Sequence, residues 1–258
     1  MSNKILKTSS LLLYLQQAVF ILIPFMIVYT IINHRLALLF IMLLFAAVLV
    51  WGIFDIRLSL FVPVANRLKT KENKVVLTFD DGPGNCSEKI LSVLEKENVQ
   101  ATFFFIGKNA VNHAGIVKKV AQSGHSIGVH TQNHLFGFPF SGLKKVKREI
   151  SESIVSIEKI TGQKPTLFRP PFGVVNPVIA KSIRDLELTT IGWTIRSLDT
   201  KAKNGDRLLK RISGRLSAGA IILLHDIPLT SEILQDLIAE IRKKGYEFEK
   251  ILPDYRKN

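Results

Sequence analysis

The sequence predicts an α/β fold in which parallel strands alternate with amphipathic helices, and two observations carry this prediction. Short runs rich in β-branched and aromatic residues recur from Lys74 onward, with helical stretches between them. Several of these runs also end in a polar, chemically reactive residue. Such alternation indicates a parallel sheet, and right-handed crossovers close the sheet into a barrel or place helices on both of its faces.

Seven runs are candidate strands of this sheet. They are Val75–Phe79, Thr102–Ile106, Ser126–His130, Thr166–Phe168, Thr189–Trp193, Ala220–Leu224 and Tyr246–Glu249. Between the third and fourth, apolar residues recur every three or four positions from Leu143 to Ile157, and the stretch from Leu229 to Ile241 repeats this pattern. An apolar stripe of this period packs a helix on a sheet and leaves its charged face in water.

The first fifth of the chain is strongly apolar and predicts a two-helix transmembrane hairpin. Its two spans, at about 11–32 and 36–54, are long enough to cross the ~30 Å hydrocarbon core of a bilayer. We therefore expect a hairpin over residues 1–59, a linker over 60–73 and a catalytic domain over 74–258. A cleaved signal peptide is the alternative for the first span, but the run is long for one and no small-residue cleavage site follows it.

The charge of the chain favours polyanionic surroundings without indicating nucleic acid. The net charge is +14, and the first 59 residues contain four of the 35 basic and one of the 21 acidic residues, which leaves about +11 for the rest. Anionic lipid head groups and acidic cell-wall polymers both suit such a surface. The sequence contains no zinc-finger spacing, aromatic RNA-binding motif or recognition-helix signature. We expect a membrane-lipid contact, no nucleic-acid partner and no obligate protein partner.

Reactive residues cluster at the carboxyl ends of the predicted strands. They are Asp80 and Asp81 after the first strand, His130 and His134 after the third, Arg169 after the fourth, Asp199 past the fifth and His225 after the sixth. Parallel sheets and barrels build their active sites at this edge, because all strands end there. The sequence therefore predicts one site that contains all seven residues.

Asp81, His130 and His134 form a candidate metal site. The two histidines are four positions apart, a spacing that aims both rings at one point if the segment turns helically. Two histidines and a carboxylate hold a divalent ion and leave positions open for water and substrate. We expect one ion, Zn²⁺ first, with Co²⁺, Ni²⁺ or Mn²⁺ as alternatives. The competing interpretation is a turn made by Asp-Asp-Gly-Pro beside structural histidines.

The remaining residues supply acid–base chemistry. Asp80 is free to act as the base that deprotonates water, and His225 is placed to protonate a departing amine. Arg169 could orient Asp80, and a backbone N–H near Phe172 could stabilise an oxyanion. From the residues alone, this set predicts metal-assisted hydrolysis of an amide.

These segments, in this order, resemble the NodB-type polysaccharide deacetylases, carbohydrate esterase family 4, over about Lys74 to Leu252. The run Thr78–Pro83 is similar to the first motif of that family, and the run His130–His134 to the second. The resemblance implies a distorted (β/α) barrel of seven or eight strands. It also implies that Asp80 is the base and that Asp81 and both histidines bind the metal.

The other motifs carry further implications from the resemblance. The third-motif run, Arg169-Pro170-Pro171-Phe172-Gly173, would form a groove wall and orient the base. In the fifth motif Leu223 would line the pocket for the acetyl methyl group, and His225 would be the acid. The fourth motif departs from the family pattern and keeps only Asp199, which the resemblance pairs with Arg169.

The function that follows is hydrolysis of the N-acetyl group of an N-acetylhexosamine in peptidoglycan, a chitin-like polymer or an exopolysaccharide, with release of acetate. One alternative is removal of a formyl or acetyl group from a lipid-linked aminosugar, suggested by the hairpin and the basic domain. Another is a non-catalytic glycan-binding module, suggested by the altered fourth motif.

Basic residues that flank the hairpin predict, by the positive-inside rule, that the domain lies in the cytoplasm. The resemblance, in contrast, implies substrates outside the cytoplasmic membrane, and we therefore expect an outward-facing domain on that membrane.

Overall fold

The computed structural model describes residues 18–27, 29, 35–253 and 255. The chain divides into two compact units, Met1–Trp51 and Gly52–Asn258. In the first unit, residues 18–27 are helical. A further helix, α1, spans Arg35–Phe54. Among the described residues, no helix meets both the length and the hydropathy needed to cross a membrane.

The transmembrane hairpin expected from the sequence is therefore not supported by the structure. Its first span is only partly covered, since residues 11–17, 28 and 30–32 lie outside the described part of the chain, as do residues 33 and 34 of the expected loop.

The second unit carries nine strands within the described residues. They are β1 (Val64–Ala65), β2 (Lys74–Asp80), β3 (Thr102–Phe105), β4 (Ser126–Val129), β5 (Leu167–Phe168), β6 (Thr189–Ile191), β7 (Ile195–Arg196), β8 (Ile221–His225) and β9 (Glu247–Phe248). The α-helices that follow α1 are α2 (Ser87–Lys96), α3 (Gly107–Asn112), α4 (Ala114–Gln122), α5 (Leu143–Thr161), α6 (Pro177–Asp185), α7 (Gly205–Ser213) and α8 (Pro228–Lys243). Short 3₁₀ turns cover Ile56–Leu58, Phe138–Phe140, Pro171–Gly173 and Asp199–Lys201.

The strands form a curled parallel sheet. Its order is β1-β6-β5-β4-β3-β2-β8-β7, and β9 pairs with the start of β2. Every named strand pair is parallel. In this order β6 lies near one end of the sheet and β7 lies at the other end. Only residues 192–194 join these two strands, so the sheet must curl until its two ends come close together. The predicted parallel α/β fold is confirmed, and its form is a curled half-barrel, which is consistent with the barrel that the resemblance implies.

Two strands differ from the sequence-based expectation. All seven candidate runs contain a strand, whereas β1 and β7 were not predicted. Each is only two residues long, which is too short for alternating hydrophobicity to show. β1 pairs with β6 and lies in the 60–73 segment that was expected to be a linker.

The register of β2 brings the predicted base and the predicted acid together. From Val75 to Asp80 this strand is buried, as is typical of a parallel strand covered on both faces. Asp80 aligns with Phe104 of β3 on one side and with His225 of β8 on the other. The sheet itself therefore places Asp80 beside His225 at the carboxyl edge.

Helix α5 has the expected apolar stripe with one exception. Val146, Ile150, Ile154 and Ile157 are buried against the core. Glu149 lies on the same stripe and is 3% exposed. A charged residue is rarely buried without partners, and its partners belong to the site described below.

Candidate active site

The reactive residues predicted from the sequence lie at the carboxyl edge of the sheet. Asp80 and His225 end β2 and β8, His130 directly follows β4, and Arg169 directly follows β5. Asp199 begins the turn that follows β7. Because all these strands run in the same direction, the side chains approach one another from five elements.

Asp81, His130 and His134 present three ligand atoms to one point. The Asp81 Oδ1 atom lies 3.5 Å from the Nε2 atom of each histidine. The three ligand atoms lie within 4.8 Å of one another. The same Oδ1 atom is buried and has no hydrogen-bond partner among the described residues. An unpartnered carboxylate oxygen that faces two imidazole nitrogens fits a divalent cation, which would satisfy all three.

His130 is held in the tautomer that a metal ligand needs. Its Nδ1 atom lies 2.6 Å from the carbonyl oxygen of Arg169. A carbonyl only accepts, so Nδ1 carries the proton and the lone pair of Nε2 faces Asp81 and His134. Burial lowers the pKa of His130 to about 3, against the opposing charge of Asp81. The ring is therefore neutral at physiological pH and ready to bind a cation.

The loop between the two histidines is not a helical turn, the conformation in which a spacing of four residues would aim both rings at one point. Residues 131–134 are irregular, and Thr131 and His134 have left-handed backbones with φ of 67° and 49°. The backbone N–H of His134 donates to Thr131 Oγ1 at 3.1 Å. Asp81 is left-handed too, with φ of 71°. Such conformations cost on the order of 1 kcal/mol each, so surrounding contacts must hold them.

Glu149 supplies one of these contacts. Its Oε2 accepts a hydrogen bond from the backbone N–H of Asn133 at 2.9 Å, and its Oε1 accepts one from Asn133 Nδ2 at 2.8 Å. Asn133 directly precedes His134, so α5 fixes the metal loop through a buried carboxylate. Glu149 was not predicted from the sequence, although an acidic residue between Val146 and Ile150 on an apolar stripe is a detectable signal.

Arg169 is completely buried and holds Asp80. Its Nη1 donates to Asp80 Oδ1 at 2.8 Å and to Thr78 Oγ1 at 2.7 Å, and its Nη2 donates to the carbonyl of Gly192 at 2.7 Å. The guanidinium also lies 4.2 Å from the centre of the Phe104 ring. Burial raises the pKa of Asp80 above its usual value, although the charges of Arg169 and His225 oppose this. A raised pKa makes the carboxylate a stronger base.

Asp199 contacts His225, so the expected pair of Asp199 with Arg169 is wrong. Asp199 Oδ1 lies 2.7 Å from His225 Nδ1, and Oδ2 accepts from the backbone N–H of His225 at 2.7 Å. Thr230 Oγ1 donates to Oδ2 at 2.8 Å. Arg169 is occupied elsewhere, since its donors serve Asp80, Thr78 and two backbone carbonyls.

The contact between Asp199 and His225 shifts the pKa values of both side chains. Burial by itself would lower the pKa of His225, but the hydrogen bond and charge of Asp199, followed by Asp80 and Asp81, raise it. Burial by itself would raise the pKa of Asp199, but His225 and Thr230 lower it. His225 is thus favoured as a protonated ring, and Nε2 is the ring nitrogen that Asp199 leaves available.

The third-motif run forms a wall beside the metal group. Pro171 is buried, and Phe172 is partly exposed with φ of 61°, its ring centre 5.0 Å from that of His134. Gly173 has φ of 70°, and a Cβ there would collide with the ring of Trp193. The Gly173 N–H already donates to Pro170. Trp193 was missed as a wall residue, because only the three-dimensional contact with Gly173 reveals it.

Leu223 lies on β8 and aligns with Thr78 of β2. Its side chain is almost fully buried. The structure thus places every residue of the predicted site in one region, with Asp199 in a different pairing.

The profile of the Polysaccharide deacetylase family matches residues 67–191. The putative polysaccharide deacetylase YheN of Bacillus subtilis is 34% identical over 199 residues, which cover 70% of this chain and 69% of that protein. The chain belongs to the polysaccharide deacetylase family. The resemblance inferred from the motifs is thereby confirmed.

Two relatives in this family are named for the deacetylation of different peptidoglycan sugars. The peptidoglycan-N-acetylglucosamine deacetylase PgdA of Listeria monocytogenes is 33% identical over 196 residues, which cover 74% of this chain but only 40% of that protein. The peptidoglycan-N-acetylmuramic acid deacetylase PdaA of Bacillus subtilis is 33% identical over 195 residues, which cover 70% of this chain and 71% of that protein.

Solved structures agree on the fold. The Bc1960 peptidoglycan N-acetylglucosamine deacetylase superposes with a TM-score of 0.70 at 28% identity, over 74% of this chain and 92% of that one. A carbohydrate esterase family 4 pseudoenzyme from Bacillus anthracis superposes with a TM-score of 0.68 at 28% identity, over 72% of this chain and 66% of that one.

Proposed function

We propose that the chain is a metal-dependent N-deacetylase that hydrolyses the N-acetyl group of N-acetylhexosamine residues in a cell-wall or extracellular glycan. The observation that carries the proposal is the group Asp81, His130 and His134, in which a buried Asp81 oxygen with no hydrogen-bond partner among the described residues faces two histidine nitrogens. Family membership and the peptidoglycan substrates named for two relatives support the choice of a glycan.

Asp81, His130 and His134 would hold one divalent ion, with Zn²⁺ as the first choice for two imidazoles and a carboxylate and Co²⁺, Ni²⁺ or Mn²⁺ as alternatives. When bound, such an ion polarises the amide carbonyl and lowers the pKa of water.

Asp80 and His225 divide the proton transfers. Asp80, positioned by Arg169, takes a proton from the water whose oxygen attacks the carbonyl carbon. The carbon–nitrogen bond then breaks, and His225 gives its proton to the nitrogen, so that the free amine and acetate are formed. Asp199 keeps His225 oriented and protonated. Leu223 and the Phe172 wall would enclose the acetyl group.

A second candidate is a glycan-binding module without turnover. The likeness to a pseudoenzyme and the altered fourth motif favour it. The contact between Asp199 and His225 favours catalysis, because a carboxylate that raises the pKa of a histidine supports proton transfer.

The experiment that separates these functions is acetate release by the purified full chain from peptidoglycan and from chitin oligosaccharides. We expect activity that disappears on removal of the metal by a chelator and returns when Zn²⁺ is added. Metal binding with no acetate release from any N-acetylated glycan would favour the binding module.

We further propose an outward-facing location at the cytoplasmic membrane. Large apolar side chains of α1, including Phe40, Leu43 and Trp51, are exposed and would need an apolar environment such as lipid. A reporter enzyme fused to the C-terminus and scored for activity inside or outside the cytoplasm tests the sidedness. Activity inside would contradict it.

A further inference from the structure

The loop after the second metal-binding histidine presents aromatic side chains to solvent. Phe136 is 84% exposed and Phe140 is 80% exposed, whereas Phe138 between them is completely buried. Phenylalanine normally lies in the core, so large exposed rings beside a catalytic site mark a surface that contacts a partner.

The exposure is built into an anchored loop. Phe138 fills the core, and its backbone N–H donates to the carbonyl of Leu135 at 2.9 Å. Asn176 Nδ2 donates to the carbonyl of Pro139 at 2.6 Å and ties the loop to the start of α6. The buried ring and the side-chain hydrogen bond hold the segment, and the flanking rings point away from the core.

Phe136 continues a row of rings that starts at the metal group. The ring of Phe136 lies edge-on to that of Phe172, with centres 5.8 Å apart at 69°. The ring of Phe172 in turn lies 5.0 Å from that of His134. Phe140 has the same chemistry and a similar exposure, but among the described residues no ring contact joins it to this row. Within the described part of the chain, the row of rings therefore continues outward from His134 through Phe172 and Phe136 and does not include Phe140.

We propose that Phe136 and Phe172 form an aromatic platform that binds the sugar ring next to the N-acetylhexosamine being deacetylated. A pyranose has a face of C–H groups that packs on an aromatic ring, while its hydroxyls point outward to water. Phenylalanine has no hydrogen-bonding group, so this surface selects the C–H face of a ring. The inference rests on the proposed function, and it makes a glycan chain a better substrate than a single sugar.

The test is the steady-state kinetics of acetate release from N-acetylglucosamine oligosaccharides of increasing length. Phe136→Ala is expected to raise KM for the longer oligosaccharides about 2- to 10-fold with little change in kcat, which is the effect of losing one aromatic stacking contact. The rise should be absent for the single sugar and should appear once the neighbouring ring is present, and Phe136→Trp should restore a low KM. Phe140→Ala is the matched control and should behave as the wild type.

The outcomes separate failure of the platform from failure of the proposed function. If the wild type is active and Phe136→Ala has the wild-type KM at every length, the platform is wrong. If the wild type releases no acetate, the proposed function fails, and oligosaccharide affinity measured by calorimetry still tests the platform through the same two alanine variants. Loss of binding to phosphatidylglycerol vesicles in Phe136→Ala, with an unchanged KM, would assign the surface to lipid and overturn the proposal.

Discussion

Asp80 and Asp199 are both almost fully buried beside a cationic partner, yet their pKa values are shifted in opposite directions. Within the described residues, the Asp80 carboxylate accepts a hydrogen bond from Arg169 alone. Asp199 accepts from Ser197, Thr200, Thr230 and both the ring and the backbone of His225. Hydrogen bonds to the charged form offset the cost of burying it.

The difference shows how one edge of a sheet can give two carboxylates separate tasks. Asp80 lacks enough donors to offset its burial, keeps a high affinity for protons and suits the role of base. Asp199 is surrounded by donors that lower its pKa, and its hydrogen bond and charge raise the pKa of His225. Substitutions at Asp80, Thr230 and Asp199 each alter one side of this comparison, and substitution of Glu149 alters the metal group that includes the neighbouring Asp81.

The largest effect is expected from Asp80→Asn, which keeps the shape of the side chain and removes the base. We expect kcat to fall about 10²- to 10⁴-fold, the usual contribution of a general base. Zn²⁺ content, measured by elemental analysis of the same preparation, should remain near the wild-type level, because Asp80 is outside the metal group. A variant with full activity would show that another group takes the proton.

Glu149→Ala should weaken metal binding about 10- to 100-fold, the usual effect of removing a residue that orients a ligand. The reason is that Asn133 loses both acceptors and the left-handed loop loses its brace. Zn²⁺ affinity is measured by competition with a chromophoric chelator.

The matched control is Glu152→Ala on the same helix, because Glu152 is exposed and its ion pair among the described residues is a long contact of 3.9 Å with Arg148. Glu149→Gln retains one acceptor and should fall between the two alanine variants. Equal Zn²⁺ affinity in folded Glu149→Ala and Glu152→Ala would contradict the role of Glu149.

The fold and the ligands could be predicted from sequence because both leave local signals. Asp80, Asp81 and His130 each adjoin a strand whose apolar run is visible in the chain. The loop geometry could not be predicted, since left-handed backbones at Thr131 and His134 are uncommon for residues other than glycine.

Contacts between distant segments were also out of reach of sequence patterns. Thr230 can donate its hydrogen bond to Asp199 only when α8 packs against the turn that contains Asp199, 31 positions earlier in the chain. The partner of Asp199 was predicted incorrectly for the same reason, because the choice between Arg169 and His225 depends on side-chain geometry across several strands.

A smaller effect is expected from Thr230→Val, which removes one donor from Asp199 and keeps the side-chain shape. One hydrogen bond to a charged group contributes about 1.5–3 kcal/mol, and its loss should raise the pKa of Asp199 and weaken its hold on His225. The alkaline limb of the pH–activity profile should move to slightly lower pH. Ser231→Ala is the control, since the Ser231 hydroxyl donates to Pro228 and not to Asp199. Identical pH–activity profiles for the two variants would show that Thr230 does not influence His225 through Asp199.

The pH dependence of kcat/KM in the wild type and in Asp199→Asn tests the division of labour most directly. Activity needs Asp80 deprotonated and His225 protonated, so it falls below the pKa of Asp80 and above the pKa of His225. Asp199 is the main group that raises the pKa of His225 against its burial. Asp199→Asn should therefore move the alkaline limb to lower pH and leave the acidic limb much less changed. An alkaline limb at the wild-type pH in Asp199→Asn would contradict the assignment of His225 as the acid held by Asp199.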